Sequence, residues 1–252
     1  MQQISVVDSR TLRRDNWWVE VLPTFVLLGG FMIYGLWTAF NDSNYFADPY
    51  LSPFYSPCLA ANCEETTLKL IGSGWTLTPA LLVLPIPLGF RTTCYYYRKA
   101  YYRAFFGSPP ACAVRDVPKR YRGETRFPFI LQNIHRYFFW LSLPVLFFLW
   151  WDAFKAFDFP NGFGIGVGTL VLIVNAALLS LYSLSCHSCR HLCGGTLDVL
   201  SKAPMRQRAW QTVSRLNAHH GKIAWVSLVG VASTDIYVRL VATETIRDLR
   251  FF

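Results

Sequence analysis

Charged side chains are scarce in this chain. Asp, Glu, Lys and Arg make up only 15% of its 252 residues, whereas hydrophobic residues make up 53%. Soluble domains are typically about one quarter charged, so this composition excludes an ordinary soluble domain. Several apolar runs approach or exceed the roughly 18 residues that indicate a membrane span. The sequence therefore predicts an all-α, polytopic membrane protein.

Acidic residues are the scarcer of the two charged classes. The chain has 15 Asp and Glu against 24 Lys and Arg, which gives a formal net charge of +9. The basic excess lies between the apolar runs, a pattern that is typical of cytoplasmic loops facing anionic lipid and partner proteins. We therefore expect membrane lipid, and no nucleic acid, at the basic surface.

The apolar runs predict a single membrane domain over residues 1–252, built as a bundle of five transmembrane helices. The predicted spans are residues 19–40, 73–90, 129–151, 163–185 and 221–242. The second span is short and contains Pro79, Pro85 and Pro87. Prolines inside a membrane helix free backbone carbonyls that need partners within the protein. We therefore expect this helix to be kinked or buried among its neighbours.

The distribution of basic residues predicts the orientation of the bundle. The N-terminal tail and the segments 91–126 and 187–220 together contain 17 Lys and Arg, whereas each of the two opposite loops contains one. Because basic loops stay in the cytoplasm, the N-terminus is predicted inside and the C-terminus outside. Cys58 and Cys63 then lie outside, where an oxidising compartment favours a structural disulfide between them over a metal site.

A dense group of potential metal ligands follows the fourth predicted span. Cys186, His187, Cys189, His191 and Cys193 fall within eight residues. On a helix the three cysteines share one face and the two histidines share another. Two histidines four residues apart can bind one metal from the same side. This segment is therefore the first candidate for a metal or redox centre at the inner membrane surface.

Further potential ligands are predicted at the same membrane face, namely Cys94, Cys112, His135 and His220. Each one alone has an ordinary structural explanation, since a buried cysteine commonly packs as a small apolar side chain. Histidine within a membrane is costly, however, and is usually functional. The accumulation of sulfur and imidazole at one face therefore indicates a shared function.

Three cofactors remain open for this set of side chains. Zinc is one of them. A Rieske-type [2Fe–2S] cluster, with two Cys on one iron and two His on the other, is favoured because imidazole ligation raises its potential into the range of quinone chemistry. Haem b held between His135 and His220 is the alternative, although the chain has no Cys-x-x-Cys-His attachment motif.

Four segments carry a family resemblance, namely Thr93–Phe105, Pro110–Val114, Leu131–Tyr137 and Cys186–Gly195. They resemble the membrane-anchor subunit of actinobacterial succinate dehydrogenases, a cytochrome b-type, SdhC-like family. The resemblance implies respiratory complex II in the bacterial plasma membrane. In that complex a flavoprotein subunit oxidises succinate, an iron–sulfur subunit relays the electrons, and the anchor reduces quinone. Family anchors commonly carry haem b, but the many cysteines here favour a His/Cys-ligated cluster.

Within this resemblance the residues of the inner face take two predicted roles. The predicted cofactor ligands are His187, His191, Cys186, Cys94 and Cys112. The predicted quinone pocket, whose side chains supply charge or protons, is formed by His135, Arg136 and His220.

Two other functional classes remain open. A small-molecule transporter would contain inverted repeats or helices broken at mid-membrane, and only the proline-rich second span suggests this. A zinc-dependent membrane hydrolase would place a carboxylate beside the histidine pair, but Asp198 is the nearest one along the sequence. Visible absorption would exclude both classes, because zinc enzymes and transporters are colourless.

Overall fold

Helices form most of the structure, a computed structural model that describes residues 13–41, 43–57, 68–69, 76–114, 126–127 and 129–252. The prediction of a predominantly helical chain is confirmed. The α-helices of these residues are α1 (Leu22–Phe40), α2 (Pro79–Val83), α3 (Pro85–Thr92), α4 (Tyr95–Phe106), α5 (His135–Lys155), α6 (Val167–Leu184), α7 (His187–Gly194), α8 (Pro204–Ala218) and α9 (His220–Ala242).

Four helical segments are long and apolar enough to cross a membrane. They are Trp17–Phe40, Ile130–Lys155, Val167–Leu184 and His220–Ala242. These segments match four of the five predicted spans to within a few residues. The other predicted span, 73–90, corresponds to the short helices α2 and α3, whose apolar part is Ala80–Thr92. The count of five spans and the orientation of the termini stay predictions.

Prolines determine where the second apolar segment begins and where it breaks. Pro79 lies in the first turn of α2 and Pro85 in the first turn of α3, where a missing N–H costs no helical hydrogen bond. Thr78 caps α2, since its Oγ1 accepts from the backbone N–H of Leu81 at 3.3 Å and donates to the carbonyl of Ala39 at 2.7 Å. The segment is therefore two helices, and one hydroxyl joins α2 to the end of α1.

Short antiparallel hairpins connect some of the helices. Within the described residues, β1 (Phe46–Ala47) pairs with β2 (Tyr50–Leu51), β3 (Leu68–Lys69) with β4 (Thr76–Leu77), and β5 (Asp158–Phe159) with β6 (Gly162–Phe163). With two residues in each strand they act as turns between helices and do not form a separate layer.

The centre of the bundle is formed by α5, α6 and α9, and α6 packs against both of the others. Helix α3 packs on α5, α1 on α4, and α7 on α8. An apolar cluster forms where α5 and α9 begin and α6 ends. This cluster buries Cys94 and Cys186 among Phe90, Phe139 and Tyr182. The helix ends therefore bring two cysteines into the interior at one end of the bundle.

The segment after α9 folds back onto the start of α6. Asp248 accepts hydrogen bonds from the hydroxyls of Tyr50 and Tyr237, both at 2.5 Å, and from the backbone N–H of Gly168 at 3.0 Å. The Tyr50 ring lies directly against Gly168, where an added Cβ would be 2.5 Å from the ring carbon Cζ. This distance is shorter than any normal contact, so the position accommodates only glycine.

We expect Gly168→Ala to destabilise the protein by about 1–3 kcal/mol, the usual cost of over-packing a filled site. The ring cannot move away without losing the bond between Tyr50 and Asp248. The measurement is the apparent melting temperature in detergent, which should fall. Gly35→Ala on α1 is the control, because among the described residues no atom beyond its own stretch of helix lies within 4 Å of the added Cβ. Equal melting of both variants and the wild type would contradict the prediction.

Candidate functional site

A cavity of about 540 Å³ lies at the end of the bundle where α5 and α9 begin. Its walls come from the start of α4, the start of α5, α7 and the start of α9, so residues far apart in the sequence meet there. The potential ligands that line it are His135, His187, His191, His220, Cys94 and Cys186.

Two histidine–cysteine contacts lie in the wall of this cavity. The Nε2 atom of His135 is 3.0 Å from Sγ of Cys186, and Nε2 of His220 is 3.4 Å from Sγ of Cys94. Both cysteines and His220 are at most 2% exposed, and His135 is partly buried. Each contact pairs one imidazole nitrogen with one sulfur, and these donor atoms suit iron and zinc.

All four of these side chains stand at the start of a helix. Cys94 is the N-cap of α4 and Cys186 is the N-cap of α7. The sulfur of Cys186 accepts a hydrogen bond from the backbone N–H of Ser188 at 3.4 Å. His135 and His220 are the first residues of α5 and α9. Helix N-termini stabilise negative charge, so the backbone around the cysteines favours thiolates.

Burial acts against the same ionisation. Removal from solvent raises the pKa of the Cys186 thiol to about 11, so this side chain is a neutral thiol at neutral pH when it stands alone. A bound metal ion favours the thiolate instead, because its charge drives a coordinating thiol to lose its proton. The site therefore favours a thiolate at this position only together with a bound cation.

Aromatic rings hold both imidazoles in place. His135 stacks on Phe90 with ring centroids 4.8 Å apart and an interplanar angle of 9°. His220 stacks on Tyr182 at 5.0 Å and 15°. Because both ring planes are constrained by neighbours, the Nε2 atoms keep their direction toward the thiols, and the donor atoms are preorganised.

A buried arginine lies behind the cavity wall. Arg91 is 7% exposed, and its guanidinium donates to the hydroxyls of Tyr97 and Ser227. It also lies 4.6 Å from the centroid of the Tyr182 ring, which stacks on His220. The ion pairs between described residues do not include Arg91. A buried cation with neutral partners makes the neighbouring site attractive to negative charge.

The histidines of α7 take a different position from the two just described. His187 and His191 are exposed and line the open part of the cavity, as does Arg136. Cys189 is buried and Cys193 is half-buried in α7, and neither lines the cavity. The dense Cys/His segment therefore contributes Cys186 to the buried contacts and its histidines to the opening.

The remaining predicted cysteines lie elsewhere. Cys112 is exposed and does not line the cavity, and its backbone carbonyl accepts a hydrogen bond from Arg13 at 2.8 Å. Cys58 and Cys63 lie outside the described residues, so the predicted disulfide stays a prediction.

The buried donors differ in number and kind from those that a single metal ion requires. Among the residues that the structure describes, no group of three or more His, Cys, Asp or Glu side chains is arranged to hold one metal. A [2Fe–2S] cluster needs only two protein ligands on each iron, because sulfides complete the coordination. Two thiols and two imidazoles line this one cavity, as two histidine–cysteine contacts. Haem b would use the imidazoles and leave both thiols without a role.

Sequence reasoning did not connect His135 with Cys186 or His220 with Cys94. A short repeat contains the signal that could have done so. The segments Phe90-Arg-Thr-Thr-Cys94 and Tyr182-Ser-Leu-Ser-Cys186 each place an aromatic residue four positions, and a hydroxyl one position, before the cysteine. Both aromatic residues are the ones that stack on the imidazoles.

The fold and the site together define a class, that of multi-pass helical membrane proteins with a His/Cys-lined cavity at one end of the bundle. The sequence profile of the family described as actinobacterial succinate dehydrogenase subunit SdhC matches residues 19–244. The chain therefore belongs to this family of membrane anchors, as its four resembling segments predicted, and it is located in the bacterial plasma membrane.

A solved structure supports the same assignment. A chain of the Mycobacterium smegmatis Sdh1 complex in the apo form is 46% identical to this chain and superposes with a TM-score of 0.90. The alignment covers 100% of this chain and 98% of that chain. No curated protein gave a significant match.

Proposed function

We propose that this chain is the quinone-reducing anchor of succinate dehydrogenase and that it holds a Rieske-type [2Fe–2S] cluster through Cys94, Cys186, His135 and His220. The observation that carries the proposal is the pair of contacts, at 3.0 and 3.4 Å, between each imidazole Nε2 and a cysteine sulfur. All four side chains line one cavity, and two thiols and two imidazoles are the ligand inventory of such a cluster.

The surrounding residues favour electron uptake at this place. A cluster with imidazole ligands transfers single electrons at a higher potential than an all-Cys cluster. Arg91, buried next to Tyr182 and without an acidic partner in the described ion pairs, stabilises added negative charge. The N-termini of α4 and α7 act in the same direction. These groups therefore raise the affinity of the centre for electrons.

Quinone is proposed to bind at the open part of the same cavity. Its volume of about 540 Å³ is typical of small-molecule sites. Arg136, His187 and His191 line the opening, where their N–H groups can donate to quinone carbonyls and stabilise the charge that develops during reduction. The two predicted roles are thus exchanged: His135 and His220 become ligands, and the histidines of α7 join Arg136 at the quinone.

Two soluble subunits complete the proposed enzyme. The flavoprotein subunit oxidises succinate, and the iron–sulfur subunit passes the electrons to the anchor. Helices α4 and α8 are basic and flank the cavity, with Lys99, Arg206 and Arg208 exposed to solvent. We propose these two helices as the surface on which the iron–sulfur subunit docks, because positive charge at an interface steers and orients a partner of opposite charge.

The test is a comparison of the purified, reduced complex with its Cys94→Ser/Cys186→Ser variant by EPR and visible absorption. The soluble subunits carry their own clusters, so the anchor's signal is the difference between the two samples. We expect a difference signal with an average g value below that of all-Cys clusters, together with loss of iron. Cys112→Ser is the matched control, because Cys112 is exposed and lies outside the cavity.

Each other outcome has its own meaning. A difference spectrum without an iron–sulfur signal would contradict the cluster. A haem band that is lost in His135→Ala/His220→Ala but kept in the double cysteine variant would identify haem b as the cofactor. A complex whose anchor contributes no visible absorption would contradict both the cluster and haem b.

A further inference from the structure

Each of the two buried imidazoles is held from its other side by a hydroxyl group. Nδ1 of His135 lies 2.8 Å from Oγ1 of Thr93, and Nδ1 of His220 lies 2.7 Å from Oγ of Ser185. Thr93 is at most 9% exposed and Ser185 is fully buried. Both ring nitrogens of each histidine are therefore engaged, Nδ1 by a hydroxyl and Nε2 by a sulfur.

Each hydroxyl also has a backbone carbonyl that can accept its single proton. Thr93 donates to the backbone carbonyl of Gly89 at 2.7 Å, and Ser185 donates to that of Tyr182 at 3.1 Å. A hydroxyl has one proton and two acceptor lone pairs, so each oxygen is left to accept a hydrogen bond from Nδ1–H. This hydrogen-bond pattern is satisfied when each imidazole carries its proton on Nδ1. The Nε2 lone pair is then directed at the cysteine thiol.

Each cysteine-containing segment contacts both histidines, one through its hydroxyl and the other through its thiol. The segment that ends in Thr93-Cys94 gives its hydroxyl to His135 and its thiol to His220. The segment that ends in Ser185-Cys186 does the reverse. The two segments of the sequence repeat therefore make matching contacts with exchanged histidines. Each imidazole is held between both segments, and neither segment can shift without moving both histidines.

We infer that Thr93 and Ser185 are positioning residues that select Nε2, and not Nδ1, of His135 and His220 as the atom that binds iron. This rests on the proposed function, since it concerns the ligands of the proposed cluster. A hydrogen bond to the second nitrogen of a metal-bound histidine fixes its tautomer and orientation and makes it a stronger ligand. The two hydroxyls are equivalent in position, so their removal should have equivalent consequences.

The test uses the whole complex carrying Thr93→Val or Ser185→Ala. Removing an outer partner of a metal ligand typically weakens metal binding about 10–100-fold. We therefore expect the chelator concentration that removes half of the anchor's EPR signal to fall about 10–100-fold in each variant. Pulsed EPR should show altered nitrogen coupling from one imidazole only, a different one in each variant. Thr93→Ser and Ser185→Thr should restore both properties, because they return the hydroxyl.

Thr92→Val is the matched control, because Thr92 is the exposed neighbour of Thr93 and its hydroxyl also bonds the carbonyl of Gly89, at 3.3 Å. It should behave as the wild type. If the anchor's signal is present and Thr93→Val and Ser185→Ala both leave chelator resistance and nitrogen coupling unchanged, the inference is wrong while the cluster stands. If the wild-type complex has no anchor signal that depends on Cys94 and Cys186, the cluster and this inference both fail.

Discussion

His135→Ala is expected to lower succinate-dependent quinone reduction by more than about 100-fold. Changes to the outer partners of a metal site already cost about 10–100-fold, and the loss of a direct ligand should exceed that range. In the structure Nε2 of His135 lies 3.0 Å from Sγ of Cys186, so alanine removes one of four proposed ligands. The measurement is the ratio of two rates, quinone reduction and succinate oxidation with a soluble artificial acceptor. Only the first should fall, because the flavoprotein does not use this site.

His187→Ala is the matched control for that experiment. His187 directly follows Cys186 in the sequence, but it is exposed at the cavity opening. We expect it to raise the KM for quinone and to leave the anchor's EPR signal unchanged. The opposite pattern, with the signal lost in His187→Ala and kept in His135→Ala, would return the cofactor to the histidines of α7.

Asp235→Ala is expected to be the most destabilising single change in the bundle. Asp235 on α9 is fully buried and accepts hydrogen bonds from Tyr34, Ser52 and the Nε atom of Arg239, the last at 2.9 Å. Arg239 has a side chain only 8% exposed, and its second terminal nitrogen has no hydrogen-bond partner among the described residues. Removing the carboxylate leaves a buried, unpaired cation, which costs about 3–5 kcal/mol.

The measurement is denaturation of the detergent-solubilised protein. Asp158→Ala is the control, because Asp158 is exposed, and it should change stability little. The double variant Asp235→Leu/Arg239→Met should recover most of the loss, since apolar replacement of a whole buried pair is often neutral. A stable Asp235→Ala protein would show that Arg239 finds another partner or reaches water.

Helix positions could be predicted from the sequence more completely than the residue contacts of the candidate site. Helix location was accessible because membrane spans are encoded locally, in runs of apolar residues of a length set by the bilayer. The match of Val167–Leu184 to the predicted 163–185 illustrates this. The prediction was less complete at 73–90, where proline produced two short helices, because local hydropathy does not report where a helix breaks.

The sequence indicated which residue types line the candidate site, but it did not indicate which histidine contacts which cysteine. The density of potential ligands at Cys186–Cys193 led to the prediction that His187 and His191 are cofactor ligands. In the structure these two side chains lie at the cavity opening. The contacts of the buried pair join residues 126 and 51 positions apart. Spacing along a chain can reveal ligands on one helix, but it carries no direct information about which helix ends meet.

By itself, the sequence determined that this protein is a helical membrane protein and that its basic segments cluster between apolar runs. It also predicted that sulfur and imidazole from residues 94, 112, 135, 186–193 and 220 accumulate at one membrane face. Family membership was also readable from its segments, and the family profile confirms it. Only the tertiary structure decided which histidine meets which cysteine and which hydroxyl holds each imidazole. The physical reason is that membrane insertion depends on local hydrophobicity, whereas a ligand set depends on how α4, α5, α7 and α9 pack at their ends.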